Sequence, residues 1–283
     1  MLGVSEPFSV LMSVYAGDDP AFFAAAVASV TVDQTLPPSE LVLVVDGPVP
    51  EGIATVLRRI EAGEATGPVP VRLVALPRNG GLARALEAGL AACSHSIVAR
   101  ADADDLSLPQ RFAVQLPMIA SGYDLVGSAL VEFAEEDGPD GMVRALPCDA
   151  SDIAAMARFR DPFNHPTVVY RREAVEVAGG YEHLNKMEDY WLFARMIAHG
   201  ARVANTDQVL VRYRVGAGAY RRRGGADMLR SELRLQWRMW RSGFTTTTQF
   251  ARNIAVRGLY RFVPLRLRAL MYRRMVRPSA SMR

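Results

Sequence analysis

Continuous apolar segments alternate with amphipathic segments over the first hundred residues. Four of the apolar segments have the length and residue types of buried strands: Phe8–Tyr15, Leu41–Val45, Val71–Leu76 and Ile97–Ala99. Helical patterns lie between them, over 18–32, 51–62 and 82–92. This alternation predicts βαβ units and a mostly parallel sheet with helices on both faces. In such sheets, ligands bind beyond the carboxyl ends of the strands.

Three carboxylates follow the fourth predicted strand. Asp102, Asp104 and Asp105 are close enough in sequence to repel one another, and a divalent cation with oxygen ligands would offset that repulsion. Asp102 and Asp104 lie two apart, so they point the same way on an extended segment. The alternative is a solvated acidic turn that begins a helix at Asp105–Pro109. Asp46 ends the second predicted strand at the same edge of the sheet.

The segment Arg78–Leu82 contains two adjacent glycines ahead of a predicted helix. Glycines let the backbone approach a ligand closely, and a helix N-terminus offers N–H groups to a phosphate. The favoured alternative is an ordinary strand-to-helix turn, with Asn79 as the cap and Gly80 in a left-handed conformation. The segment matches neither G-x-G-x-x-G nor a Walker A sequence, which argues against a dinucleotide or ATP site.

Four other polar or aromatic positions stand out further along the chain. Glu188 and Asp189 begin a predicted helix, where acidic residues commonly favour the macrodipole. A lone histidine such as His165 is more often a structural hydrogen-bonding residue than a ligand. Trp191 is one aromatic residue on a packed helix, and such a residue usually belongs to the core.

The composition is that of a folded protein, because half of the 283 residues are hydrophobic. The two cysteines, Cys93 and Cys148, lack metal-ligand spacing and favour a reducing compartment. The first residues lack the pattern of a signal peptide, and no apolar run has the length of a transmembrane helix. We therefore expect a cytoplasmic protein.

Charge is divided unevenly along the chain. Residues 220–283 hold 16 arginines and two acidic residues, so this segment carries +14 and the remainder −11, within a net charge of +3. Helices are predicted from Asp227 to Ser242 and from Phe250 to about Val276. Arginines interleaved with large apolar residues are typical of a helix on an anionic membrane surface, and a solvated or dimer-forming helix pair is an equal alternative. Nucleic acid is the least favoured partner, because the body is acidic and has no nucleic-acid-binding signature.

Several motifs occur in an order that resembles the family 2 glycosyltransferases with a GT-A fold. The motifs are SVY, VVDG, RNGGLARALEAGL, ARADADDLSLPQRF, NHPTVVYRREAV, GGY, MEDYWLFARMIAHG and VLVRYRV. The resemblance covers about residues 8–215 and is strongest to bacterial members that build exopolysaccharide and other envelope glycans. It is specific for the family and not for the sugar.

The resemblance implies a site for a nucleoside-diphosphate sugar. Its nucleotide-binding residues would be Ser13, Tyr15, Asp46, Arg78, Asn79 and Asp102, with Asp46 contacting the base. Many relatives have two acids where this chain has Asp46-Gly47-Pro48, so only the first carboxylate contact is expected. Asp104, with Asp102 beside it, would bind Mn²⁺ or Mg²⁺, which offsets the charge that develops on the leaving diphosphate.

The resemblance also implies a catalytic base. Asp189 matches that position, with Glu188 as the next candidate, and a single base with direct displacement would invert the anomeric configuration. Gly180 and Tyr181 would lie near the donor sugar, and His165 and Trp191 in the vicinity of the sugar or the acceptor. As the second interpretation of each, His165 would contact the acceptor or the diphosphate, and Trp191 would stack on a sugar ring.

We therefore expect an α/β protein with a GT-A catalytic domain over 1–219 (Rossmann-like, with a mostly parallel central sheet) and a basic helical extension over 220–283. The predicted function is inverting transfer of a sugar, with a UDP-sugar as the favoured donor, to a glycan or lipid-linked acceptor at the inner face of a bacterial membrane. A nucleotidyltransferase that activates sugars would need a glycine-rich phosphate loop, which 10–17 lacks. A catalytically silent sugar-nucleotide-binding or scaffold protein would not need the Glu188-Asp189 pair.

Overall fold

The computed structural model describes residues 6–215 and 226–262. Its strands are β1 (Phe8–Val14), β2 (Glu40–Asp46), β3 (Val71–Leu76), β4 (Ile97–Asp102), β5 (Leu106–Ser107), β6 (Leu125–Phe133), β7 (Val143–Arg144), β8 (Val169–Arg171) and β9 (Val203–Arg214). Its α-helices are α1 (Pro20–Val30), α2 (Glu51–Glu61), α3 (Leu82–Ala92), α4 (Arg111–Ala120), α5 (Ala150–Ala157), α6 (Arg172–Val177), α7 (Glu188–Ala198), α8 (Ala226–Arg241) and α9 (Thr247–Phe262). A short 3₁₀ helix covers His165–Thr167.

The strands form one sheet in the order β3-β2-β1-β4-β8-β6-β9-β5, and β7 pairs with the remaining side of β6. The longest ladders, β1 with β2 and β4, β2 with β3, and β6 with β9, are parallel. The antiparallel ladders are short, and β8 lies between β4 and β6. The predicted α/β fold with a mostly parallel central sheet is confirmed.

Helices cover both faces of the sheet, as the continuous apolar strands predict. On β1, side chains alternate between the faces, so Val10 and Leu11 belong to different clusters of buried side chains. Val10 packs with Phe23 of α1 and with α4, whereas Leu11 packs with Leu86 of α3 and Phe193 of α7. The carboxyl ends of β1, β2 and β4 therefore meet at one edge between two layers of helices.

The alternative prediction, that a helix begins at Asp105–Pro109, is wrong. Leu106 and Ser107 form β5, which pairs with β9, and the helix α4 begins at Arg111. The buried backbone N–H of Ser107 donates to Ser29 Oγ at 3.1 Å, and Ser107 Oγ accepts from Arg111 at 2.9 Å. The bond to Ser29 and the pairing with β9 stabilise an extended conformation of this segment. Both partners are distant in sequence, so a local helix signal cannot include them.

The two C-terminal helices pack against the helix α7 and the segment that follows α5. Leu235 and Met239 of α8 are buried against Tyr190 and Trp191 of α7. On α9, Asn253 is fully buried and donates from Nδ2 to the Arg158 carbonyl at 2.8 Å and to Gln236 Oε1 at 2.7 Å. The helix predicted from Phe250 to Val276 is present as far as Phe262, and its remainder lies outside the described residues. Within 6–215 and 226–262, no helix combines the length and apolar character needed to cross a bilayer.

Candidate active site

The acidic cluster lies where β4 ends. Asp102 is the last residue of β4, Asp104 follows in the turn, and Asp105 precedes β5. One carboxylate oxygen from each of the three lies within 4.8 Å of the other two. The sequence prediction that these side chains converge is therefore confirmed by their positions.

The protein groups around this cluster offset only part of its negative charge. Burial, followed by the charge of Asp102, raises the pKa of Asp104 to about 6 and that of Asp105 well above its ordinary value. Asp105 accepts the Arg214 backbone N–H at 2.8 Å through one oxygen. Its other oxygen is buried and has no hydrogen-bond donor within the described part of the chain. Converging oxygen ligands with uncompensated charge fit a hard divalent cation.

A fourth carboxylate, Asp18, belongs to the same region and was not among the predicted site residues. Burial, followed by the charges of Asp104 and Asp102, raises its pKa to about 6. Asp18 Oδ2 accepts the Tyr15 N–H at 2.9 Å, whereas Asp19 caps α1 by accepting from Ala21 and Phe22. In the sequence, the Asp-Asp-Pro triplet indicates a helix start, and that signal accounts for only one of the two acids.

Arg100 lies under the cluster and is only 1% exposed. Its Nη2 forms an ion pair with Asp102 Oδ1, while its Nε and Nη1 are buried and have no acceptor among the described residues. The positive charge of Arg100 lowers the pKa of Asp104 and also that of Asp189. One buried cation therefore acts on both the acidic cluster and the predicted base. The sequence analysis gave Arg100 no role, because the predicted apolar strand ended at Ala99, just before this residue.

Asp46, which was predicted to contact the nucleobase, forms hydrogen bonds with the loop that carries Gly80 and Gly81. Its two oxygens accept the N–H groups of Gly80 at 2.7 Å and Gly81 at 3.0 Å, and it is 4% exposed. These bonds occupy the N–H groups that the sequence offered to a phosphate, so the turn interpretation is favoured. The cap of α3 is Gly81, with φ 82°, rather than Asn79, and Gly80 is not left-handed.

The remaining predicted nucleotide residues surround this edge. Ser13 is paired in register with Asp102 across β1 and β4. Tyr15 is 44% exposed just beyond β1. Arg78 is exposed, and Asn79 donates to the Asp46 carbonyl at 3.3 Å. Their arrangement leaves Tyr15 and Arg78 open to a ligand, and their nucleotide contacts stay predictions.

Asp189 begins α7 on the other side of Arg100. Its side chain is 25% exposed, and its Oδ1 accepts the Tyr190 N–H at 2.7 Å. Burial, followed by the charge of Glu188, raises the pKa of Asp189 to about 7. Glu188 itself is buried, which raises its pKa as well. Asp189 is thus the more accessible carboxylate and has a pKa suited to proton transfer near neutral pH.

His165 and Tyr181 stand behind Asp189. His165 Nδ1 lies 3.6 Å from Asp189 Oδ2, and His165 Nε2 lies 3.2 Å from the Tyr181 hydroxyl. Burial, followed by the charge of Arg100, lowers the pKa of His165 well below its usual range, so the ring is neutral. A neutral ring that accepts from Tyr181 at Nε2 carries its proton at Nδ1, toward Asp189. The structural interpretation of His165 is therefore the one that its contacts favour.

The GGY loop is fixed from two sides. Gly180 has φ 70°, and a Cβ there would lie 2.6 Å from Glu87 Oε1, so this position requires glycine. Glu87 also accepts the Tyr181 N–H, and Arg195 donates to the Gly180 carbonyl at 2.6 Å. These contacts aim the Tyr181 hydroxyl at His165.

The structure places Trp191 in the core. The side chain is only 6% exposed, and its Nε1 donates to Glu182 Oε2 at 3.0 Å. The guanidinium groups of Arg195 and Arg238 lie over its ring, at 5.2 and 5.9 Å from the centroid. The core interpretation of Trp191 is therefore the one that its burial favours, and its place near a sugar or the acceptor stays a prediction.

Known proteins resemble this chain along most of its length. It is 37% identical over 270 residues to the amylovoran biosynthesis glycosyltransferase AmsE of Erwinia amylovora, covering 94% of this chain and 97% of that protein. It is 31% identical over 275 residues to the UDP-Gal:alpha-D-GlcNAc-diphosphoundecaprenol beta-1,3-galactosyltransferase of Escherichia coli, covering 95% and 96%.

Solved structures show the same fold at low sequence identity. The S. aureus TarS 1–349 complex with UDP-GlcNAc superposes with a TM-score of 0.60 at 15% identity, over 82% of this chain and 66% of that chain. The mannosyltransferase PcManGT of Pyrobaculum calidifontis, in complex with GDP-Man and Mn²⁺, gives a TM-score of 0.58 at 17% identity, over 95% and 79%. The family model for glycosyl transferase family 2 matches residues 9–179. The chain therefore belongs to glycosyl transferase family 2.

Proposed function

We propose that this glycosyltransferase moves a sugar from a nucleoside-diphosphate sugar to an acceptor hydroxyl with inversion, at the edge formed by β1, β2 and β4. The observation that carries this proposal is the pairing of two acidic sites around one buried arginine. On one side lie the converging carboxylates of Asp102, Asp104 and Asp105, and on the other lies Asp189. The first suits a leaving diphosphate, and the second suits an attacking hydroxyl.

In the donor half, Asp104 and Asp102 hold a divalent cation, with Mn²⁺ or Mg²⁺ as the candidates. The cation supplies electrostatic stabilisation of the negative charge that develops on the leaving nucleoside diphosphate. The unpartnered buried oxygen of Asp105 supports this role, because a carboxylate oxygen without a donor or a cation is costly to bury. Asp18 adds a fourth negative charge to the same position.

The nucleotide lies along Tyr15 and Arg78, which remain open at this edge. Asp46 shapes the loop that carries Arg78 by accepting from Gly80 and Gly81. A UDP-sugar is the favoured donor, since the name of the E. coli relative specifies UDP-Gal and the TarS complex holds UDP-GlcNAc.

In the acceptor half, Asp189 removes the proton of the attacking hydroxyl. The attack breaks the bond between the anomeric carbon and the diphosphate oxygen, and it inverts the configuration because one displacement occurs. His165 positions Asp189 from behind, through the ring nitrogen that Tyr181 does not occupy. Glu188 keeps the pKa of Asp189 high by charge repulsion, so that the base is matched to neutral pH.

The acceptor is a glycan or a lipid-linked sugar in bacterial polysaccharide synthesis. The named roles of the two relatives support this class: one acts in amylovoran biosynthesis, and the other acts on a diphosphoundecaprenol-linked sugar. A lipid-linked acceptor places the reaction at a membrane surface. The +14 charge of residues 220–283 supports reversible attachment to anionic lipid at the inner face of the membrane.

The experiment that tests this function is a screen of UDP- and GDP-sugars for hydrolysis with Mn²⁺ or Mg²⁺ and with EDTA. We expect one donor class to be hydrolysed slowly with metal and not with EDTA, because water substitutes for the acceptor. The Asp189→Asn variant serves as the matched control, since it should bind the same nucleotide and hydrolyse it far more slowly. Binding without hydrolysis in the wild-type protein would identify a silent sugar-nucleotide-binding protein instead.

A further inference from the structure

A cavity of about 230 Å³ opens beside Asp189. Its lining residues come from four segments: Arg160 and Asp161 after α5; Lys186, Met187, Asp189 and Tyr190 around the start of α7; Glu232 and Leu235 of α8; and Arg257 of α9. The C-terminal helices thus form one wall of the space into which the predicted base faces. A pocket of this size accommodates a small part of a ligand rather than a long chain.

Arg160 and Arg257 line this cavity, and Arg252 lies over the same Phe159 ring as Arg257; we call Arg160, Arg252 and Arg257 the arginine rim. Arg252 and Arg257 lie over the Phe159 ring, at 4.9 and 5.5 Å from its centroid, and Arg160 is the next exposed residue in the chain. Among the described residues, none of the three forms an ion pair with a carboxylate. Three converging cations without anionic partners are poised for an anionic ligand.

Three acidic residues line the cavity: Asp161, Asp189 and Glu232. Asp161 Oδ1 accepts the Phe163 N–H at 3.1 Å, and Asp189 Oδ1 accepts the Tyr190 N–H at 2.7 Å. Burial, followed by the charge of Asp189, raises the pKa of Asp161 well above its ordinary value, and burial, followed by the charge of Glu188, raises the pKa of Asp189 to about 7. These shifts reduce the negative charge at two of the three carboxyl groups, so the two lining arginines give the cavity positive charge beside the predicted base.

The loop that leads into this floor is held in an uncommon conformation. Lys186 has φ 63°, and it is the one non-glycine residue with positive φ within the described residues. Such conformations are costly for side chains other than asparagine or aspartate and concentrate at functional sites. Here the conformation puts a lysine, in addition to the arginines, at the cavity two residues before Glu188.

We propose that the arginine rim binds the phosphate or diphosphate that joins the acceptor sugar to its carrier, while the sugar hydroxyl occupies the cavity beside Asp189. This inference rests on the proposed transfer function and adds the acceptor's chemical class. A neutral glycan would need the base but would gain nothing from three unpaired arginines. A phosphate at the rim gains charge-assisted hydrogen bonds from planar guanidinium donors.

The test uses two probes that share a sugar and an alkyl chain. One is N-acetylglucosamine joined through an α-linked diphosphate to an undecyl chain, and the other is the undecyl glycoside without the diphosphate. Full-length protein is first saturated with UDP and Mn²⁺, which fills the donor half and prevents the diphosphate from entering it. Calorimetry then measures the Kd of each probe. We expect the diphosphate probe to bind at least about tenfold more tightly.

Charge-matched variants separate the rim from general basicity. The Arg160→Gln, Arg257→Gln pair should weaken the diphosphate probe about tenfold and leave the neutral probe unchanged. The Arg230→Gln, Arg241→Gln pair removes the same charge from α8 away from the cavity, where Arg230 pairs with Asp227 and Arg241 lies over Trp237. This control should bind both probes as the wild type does. Arg160→Gln alone repeats the measurement without disturbing the bond from Arg257 to the Phe159 carbonyl.

The outcomes are distinct. A diphosphate probe that binds no more tightly than the neutral one, including no binding by either, overturns the inference, as does equal weakening by the control pair. The inference is also overturned if a rim variant no longer binds phosphatidylglycerol vesicles but binds phosphatidylcholine vesicles and both probes as the wild type does. That result would assign the arginines to lipid headgroups. Failure of the proposed function is seen separately in the donor screen, where the wild-type protein would then hydrolyse none of the sugar nucleotides in the presence of metal.

Discussion

The donor half and the acceptor half of this site are built in opposite ways. In the donor half, Asp102, Asp104 and Asp105 come from one turn at the end of one strand. In the acceptor half, Asp189 depends on His165 and Tyr181 behind it, and on α8 and α9 beside it. The difference teaches that the proposed metal site is concentrated in a short motif, whereas the proposed acceptor site is distributed over distant segments.

Arg100 is the structural link between the two halves. Its charge lowers the pKa values of Asp104 and Asp189, although among the described residues it forms an ion pair only with Asp102. A variant within the donor half or within the acceptor half should therefore affect that half of the site alone, whereas a variant of Arg100 should affect both halves.

The largest effect is expected at the base. Asp189→Asn keeps the shape and the Tyr190 contact but cannot take a proton, so transfer should fall by about 10²- to 10⁴-fold. The loss should appear in kcat, because the base acts in the transition state, and nucleotide affinity should change little. Steady-state kinetics with the donor found in the screen measures this. Near-wild-type turnover would move the base to Glu188, and Glu188→Gln is the matched variant that decides between them.

The next largest effect is expected at the link between the halves. Arg100→Gln leaves the buried acids without their cation, so the free energy of unfolding should fall by about 3 kcal/mol. Arg100→Lys keeps the charge and should recover part of that loss. Urea titrations of the three proteins give the comparison. Equal stability of the glutamine variant and the wild type would mean that Arg100 does not compensate the acidic groups on either side.

A smaller effect is expected from pH. A base must be ionised to accept a proton, and the pKa of Asp189 is raised to about 7. The value of kcat should therefore decrease about tenfold for each pH unit below about 7 and level off above it. Glu188→Gln removes a neighbouring negative charge, which lowers the pKa of Asp189 and should move the curve to lower pH. A wild-type profile that stays flat down to pH 5 would indicate that Asp189 keeps an ordinary carboxyl pKa.

The smallest effect is expected for attachment to a membrane. Deleting residues 263–283 removes six arginines and retains Asn253, which is buried against Arg158 and Gln236. Each arginine near an anionic surface contributes about 1 kcal/mol, and salt weakens the attraction. Full-length protein should co-sediment with phosphatidylglycerol vesicles at low salt more than the truncated protein does. Equal sedimentation of both would assign the basic segment to a protein partner.

The sequence was sufficient for the first four strands of the sheet and for the acidic cluster at the end of β4, and the reason is local. Buried parallel strands are continuous apolar runs, and the strand β3 and the helix α3 have the predicted boundaries. The acids of the donor half follow a strand within four residues. Asp46 shows the limit, because its position was predicted, whereas its bonds to Gly80 and Gly81 depend on how a loop 34 residues away folds back.

The acceptor half was less predictable, because its contacts join distant residues. Nothing local in the sequence distinguishes Arg257, which lies on a helix with many arginines, from Arg230, which faces solvent near Asp227. Asp18 was assigned to a helix start, and the predicted fourth strand ended at Ala99, so Arg100 received no role although β4 includes it. Burial and long-range charge give these residues their roles, and both appear only when the chain is folded.

The most direct test of the two-half arrangement is calorimetry of UDP binding to the wild type, Asp104→Asn and Asp189→Asn, each with Mn²⁺ and with EDTA. We predict that the wild type and Asp189→Asn bind UDP with similar affinity when Mn²⁺ is present, that Asp104→Asn binds it much more weakly, and that EDTA weakens binding to the wild type. Equal affinity of the wild type in Mn²⁺ and EDTA, or loss of UDP binding in Asp189→Asn, would contradict the arrangement.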